Sequence, residues 1–76
     1  MVHAFVMVDT AVGSSEGMVD QLRSLEPITE AHIVAGDHDV IVEVDVAEVY
    51  DVLETVAGAI RELEGVTDTR TYISLQ

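Results

Sequence analysis

Apolar residues alternate with polar ones at a period of two in four stretches and recur at a helical period in two others. Residues 2–9 alternate, with Val2, Ala4, Val6 and Val8 on one face and His3, Phe5 and Met7 on the other. A strand apolar on both faces is usually covered on both. Thr10 to Ser15 is a loop, and a helix is predicted from Ser15 to Leu25. Met18, Leu22 and Leu25 fall at i, i+4 and i+7, one apolar stripe. Glu26-Pro27 stops it, because proline cannot continue a helix. Ile28 to Ala35 and Asp39 to Asp45 are predicted as strands two and three. Val40, Val42 and Val44 share one face of the third strand, and Ile41, Glu43 and Asp45 the other. Asp45, with Glu48 three residues on, reads as a capping box opening a second helix that runs to Glu64. Its predicted buried stripe is Val49, Val52, Leu53, Val56, Ile60 and Leu63. Gly65 suits the left-handed residue that ends it. The last strand spans Val66 to Leu75, with Thr67, Thr69, Thr71, Ile73 and Leu75 opposite Arg70 and Tyr72.

The order is β-α-β-β-α-β, and it repeats. A shift of 38 residues, half of the 76, lays Val2, Val6 and Val8 on Val40, Val44 and Val46. It also lays Arg23, Leu25, Glu26 and Thr29 on Arg61, Leu63, Glu64 and Thr67. Two copies of a β-α-β unit predict the split, ferredoxin-like α+β sandwich: a four-stranded antiparallel sheet with two helices on one face. The shared valine face then meets the helices. Phe5, Met7, Ile41 and Tyr72 fall on the opposite face, where they predict a dimer formed through sheet faces.

Size and charge sharpen this picture. A chain this short buries only roughly 60% of its unfolded surface, so oligomerisation is the expected support. It has no cysteine, hence no disulfide and no cysteine nucleophile or thiolate metal site. Fifteen acidic residues face three arginines and no lysine, a net charge of -12. That excludes direct binding to nucleic acid and disfavours anionic membranes. With 49% hydrophobic residues and clean periodicity, the chain is a folded domain rather than an acidic tail. An acidic, lysine-free domain fits a halophile, where salt screens self-repulsion. No apolar run suits a membrane span and no signal peptide is visible, so a cytoplasmic location is expected.

Candidate chemistry concentrates in Gly36-Asp37-His38-Asp39, a short polar hinge between strands two and three. Glycine and aspartate favour a tight hairpin here. Placed at a subunit boundary, the hinge could also hold a zwitterion, with aspartate facing the ammonium and backbone N–H groups the carboxylate. The hydroxyls of Thr69 and Thr71 offer further hydrogen bonds, though threonine is also an ordinary strand residue. Ser14 and Ser15 lie far from any histidine in sequence and read as helix caps, so serine catalysis is not expected. Asp37-His38-Asp39 offers oxygen and nitrogen ligands, but adjacent turn residues rarely converge on one ion and no HxH or HxxxH spacing occurs, so no metal or other cofactor is expected; His3 and His32 read as strand residues at an interface or in solvent.

Three segments together resemble the Lrp/AsnC regulators: Ala4-Phe5-Val6-Met7-Val8, the hinge Gly36-Asp37-His38-Asp39, and Gly65-Val66-Thr67-Asp68-Thr69-Arg70-Thr71. The resemblance is to their effector-binding RAM domain and covers essentially the whole chain. The family's hinge pattern, Gly-acidic-any-Asp, is met by Gly36, Asp37 and Asp39. The resemblance implies dimers assembled into octamers or other rings. It also implies a small effector, commonly an amino acid, bound between dimers near Gly36, Asp37, His38, Asp39, Thr69 and Thr71. Family regulators carry an N-terminal helix-turn-helix, whereas here the first strand begins at Val2, so a stand-alone form is expected. Such a module would act without catalysis, by co-assembly with a helix-turn-helix relative. The alternatives are a regulatory subunit of an enzyme or ion transporter, or a small ferredoxin-like enzyme.

Overall fold

The computed structural model describes residues 1–75. Strand β1 is Val2–Thr10, helix α1 Ser15–Arg23, β2 Ile28–Ile33, β3 Val40–Val46, helix α2 Val49–Thr55 and β4 Val66–Ile73. The sheet order is β2-β3-β1-β4, with every neighbouring pair antiparallel. This is the expected ferredoxin-like α+β sandwich. Its core lies between one sheet face and the helices. Ala4, Val6 and Val8 of β1 and Val40, Val42 and Val44 of β3 are wholly buried there, against Met18, Val19 and Leu22 of α1 and Val52 of α2. β-Branched valine fits these central strands, where it packs on a pleated surface without losing much rotamer freedom. Arg23, in the last turn of α1, donates from Nε and Nη2 to the Ala31 carbonyl at 3.0 and 2.8 Å and ties the helix to edge strand β2.

The boundaries differ from expectation in instructive ways. Strand β3 runs through Asp45 to Val46, so Asp45 is not a helix cap. Glu48 is the N-cap of α2, and the Asp51 carboxylate accepts the Glu48 amide at 3.2 Å. The second helix does not stay regular to Glu64. After Thr55 it widens into one π-turn, Val56–Ile60, closed by Arg61 N–H donating to the Val56 carbonyl at 2.9 Å. Val52, Val56 and Ile60 are buried as predicted, but Val49 and Leu53 are 49% and 57% exposed. The buried side is rotated toward Thr55. That residue can be buried because its hydroxyl donates to the Asp51 carbonyl at 2.8 Å.

Gly65 ends the helical segment with φ +99°, as predicted, and its carbonyl accepts the Ala11 amide at 2.8 Å. The hinge is not the tight glycine turn expected. Residues 35–39 form a wider bend, closed where Val34 N–H donates to the Asp39 carbonyl at 2.9 Å. Gly36 does not take a positive φ there.

Candidate functional site

The hinge is tied to the end of β1. Asp39 N–H donates to the Val8 carbonyl at 3.2 Å. The Asp39 carboxylate, through Oδ2, accepts the Thr10 amide at 2.9 Å and the Thr10 hydroxyl at 3.4 Å. His38 Nδ1 meets Asp9 Oδ1 at 2.8 Å. Asp39 and His38 are half-buried, each with one side-chain atom bonded within the protomer, while Gly36 and Asp37 are exposed. A Cβ built on Gly36 meets nothing within 4 Å. Of the four hinge residues, Gly36 and Asp37 are the more exposed pair. Asp39 holds the bend in place.

Thr69 and Thr71 lie on β4, half-buried on the helix side, as Cα partners of Val8 and Val6. Val8 also pairs with Val40, the first residue after the hinge. Hinge and threonines thus occupy the same end of the sheet but are separated by β1, and neighbouring strands lie ~4.8 Å apart. One protomer does not bring them together. Two clefts lie away from the hinge, one lined by Arg23, Ile28, Thr29, Glu30, Ala31 and His32, the other by Ala11, Gly13, Met18 and Gly65.

The residues expected to form a dimer do share the open face. Met7 is the partner of Ile41, and Phe5 that of Tyr72. Phe5, Met7 and Ile41 are half-buried and Tyr72 is 54% exposed. Charged groups hem in this apolar strip. His3 is the most constrained of them. Its Nδ1 bonds Asp45 Oδ1, its Nε2 meets Glu43 Oε1 at 3.0 Å, and its ring stands edge-on to Phe5 with centroids 5.0 Å apart. The Asp45 hydrogen bond, aided by Glu43 and opposed by burial, raises the His3 pKa above the ordinary 6.5.

Sequence reasoning missed these cross-strand partners. Thr10 and Asp9 lock the hinge, and His3, Glu43 and Asp45 form a network on the open face. Each of these links spans 29 to 42 residues along the chain. Only strand register could have revealed them.

Among the described residues no helix is long and apolar enough to cross a membrane. Comparison with known proteins is consistent across sequence and structure. The chain is 34% identical over 55 residues to the leucine-responsive regulatory protein of Haemophilus influenzae, covering 72% of this chain and 33% of that one. It is 32% identical over 75 residues to an uncharacterized HTH-type transcriptional regulator of Pyrococcus furiosus, covering 93% and 49%. The chain therefore spans a third to a half of the length of these relatives. Among solved structures it is similar to FFRP-DM1, with a TM-score of 0.92, 29% identity and coverage of 99% and 100%. Residues 3–76 match the family described as the Lrp/AsnC ligand binding domain. The chain belongs to that family.

Proposed function

We infer that this chain is an effector-binding module that takes an amino acid, or a similar small zwitterion, where subunits meet, and modulates transcription regulators of its own family by co-assembly. It acts by binding, without catalysis, in the cytoplasm. The observation that carries this reading is the state of the hinge: Asp39 anchors it to β1, and that leaves Gly36 and Asp37 outside, unengaged and with open space around Gly36. Asp37 is suited to an ammonium group and the exposed hinge amides to a carboxylate. Thr69 and Thr71 are too far across the sheet to complete this site in one protomer. A second subunit brings a second set of hydroxyls, so the full site belongs to the assembly. Dimers form through Phe5, Met7, Ile41 and Tyr72 on the open sheet face and associate further into a ring. The names of the relatives, one leucine-responsive and one an HTH-type regulator, point the same way.

A ligand that binds only the assembled state raises its population by mass action. Calorimetry with a panel of amino acids, paired with sedimentation at molar salt, tests this directly. At least one amino acid is expected to bind and to raise the mass of the assembly, and Asp37→Ala is expected to weaken both effects. A chain that stays monomeric and takes up no amino acid would overturn the reading.

A further inference from the structure

The geometry points to a divalent transition-metal site on the open sheet face, formed by Glu30, His32 and Glu43. Glu30 and His32 are two apart on β2 and so project from the same side. Glu30 is the direct Cα partner of Glu43 on β3. The pairing is not regular. Ile28 is the partner of Val44 and Glu30 of Glu43, so Thr29 is an extra residue in a β-bulge, its hydroxyl donating to the Glu43 carbonyl at 3.2 Å. The bulge lets Ile28 face the core while Glu30 meets Glu43. Bulges commonly serve to re-aim a side chain in this way.

The result is one ligand atom from each of the three residues, all within 4.8 Å of one another. Ligands around a tetrahedral ion at ~2.1 Å sit ~3.4 Å apart, so a contraction of up to ~1.4 Å completes the site. In the protomer Glu30 and His32, on edge strand β2, have the freedom for it, each side chain being 54% exposed.

Charge argues for a cation here. Two carboxylates placed directly opposite on neighbouring strands repel. Of the arginines, Arg23 lines the same cleft as Glu30 and His32 but donates to the Ala31 carbonyl; Arg70 stands opposite Met7 on the far side of β1, and Arg61 follows the π-turn. Among the described residues the ion pairs of these two carboxylates are with His32, 3.0 Å from Glu30, and His3, 3.0 Å from Glu43. His3 holds Glu43 by one carboxylate oxygen and is itself held by Asp45, the orienting arrangement that supports metal ligands. The second oxygen of Glu43 is left for the ion. One imidazole and two carboxylates suit zinc, manganese, cobalt or nickel better than magnesium or calcium, which prefer all-oxygen sites. His32 and Glu30 are the ligands that the site adds to an existing structural network.

The test uses the whole chain, zinc alone, and ~1 M sodium nitrate to screen diffuse attraction to an acidic protein. Calorimetry is expected to find one zinc per chain, with histidine ring resonances reporting His32. His32→Ala is expected to weaken zinc by at least ~10-fold, and Glu30→Gln to do likewise. His38→Ala, at the hinge, is expected to leave the affinity unchanged. Both ligand variants alter side chains that are exposed in the protomer, so its fold, followed by circular dichroism, is retained, and sedimentation checks that the sheet-face dimer is kept. No zinc uptake, an affinity for His32→Ala within two-fold of the parent, or several weakly held ions insensitive to either histidine would each overturn the proposal.

Discussion

His3 carries the sharpest pH dependence at the scale of single residues. Both of its ring nitrogens face carboxylates, so the charged imidazolium is the form the fold prefers. Its pKa is raised above 6.5 when folded and returns to 6.5 when unfolded. The folded state therefore binds more protons above pH 6.5, and its stability falls as pH rises through that window. The contribution is complete below the unfolded value and gone once the folded value is passed. Urea midpoints at about pH 6 and about pH 9 are expected to show this decline in the parent and a flatter response in His3→Gln. The two glycines singled out by the fold behave in opposite ways. Gly65 has a positive φ, and an added Cβ would lie 3.2 Å from the Met18 methyl, so Gly65→Ala is expected to destabilise by ~1–2 kcal/mol. Gly36 has neither constraint. Gly36→Ala is expected to raise stability by up to ~1 kcal/mol while weakening amino-acid binding. Thermal melts and calorimetry on the same two variants separate a glycine kept for the chain from one kept for a ligand.

Elements differ in how well the sequence announces them. The four strands were legible because valine alternates cleanly in β1 and β3, and the 38-residue repeat fixed their order. Gly65 was legible for the same kind of reason, a local backbone demand that glycine alone meets. The second helix was only half legible. Val49, Val52, Leu53, Val56 and Ile60 all fit one broad stripe, and periodicity alone does not say which edge of a stripe faces the core. The buried polar Thr55, bonded back to Asp51, decides it by drawing that side of the helix inward. Equal residues by pattern are therefore unequal in energy. Ile60→Ala, at a wholly buried position, is expected to cost ~2–5 kcal/mol, whereas Leu53→Ala should stay within ~0.5 kcal/mol. Denaturant titration of the pair checks it, and similar losses would mean that Leu53 is buried in an assembly. The hinge residues were also visible in the sequence, but their division of labour was not. Nothing local to Asp39 says that its partner is Thr10, 29 residues away.

At the scale of the whole molecule, charge governs. A net charge of -12 on 76 residues opposes both folding and association. Raising monovalent salt from ~0.1 to ~1 M shortens the Debye length from ~10 to ~3 Å and is expected to raise both the melting temperature and the assembled fraction. A salt-insensitive melting curve would mean that the acids are already compensated. The same whole-molecule view gives the pairing of the first and last strands another meaning. Because β1 and β4 are neighbours, with Ala4 opposite Ile73 and Ser74 N–H donating to the His3 carbonyl at 2.8 Å, the start and finish of the sheet lie side by side. A short linker between them and a cut at residues 36–37 would make a circular permutant reading β3-α2-β4-β1-α1-β2. That is again β-α-β-β-α-β, the same topology entered half a period later. Exposed bends are where such cuts are tolerated. The permutant is expected to fold with the parent's circular dichroism spectrum and to lose only what the unbroken bend provides, so that the architecture and the ligand site become separable by the order of synthesis alone.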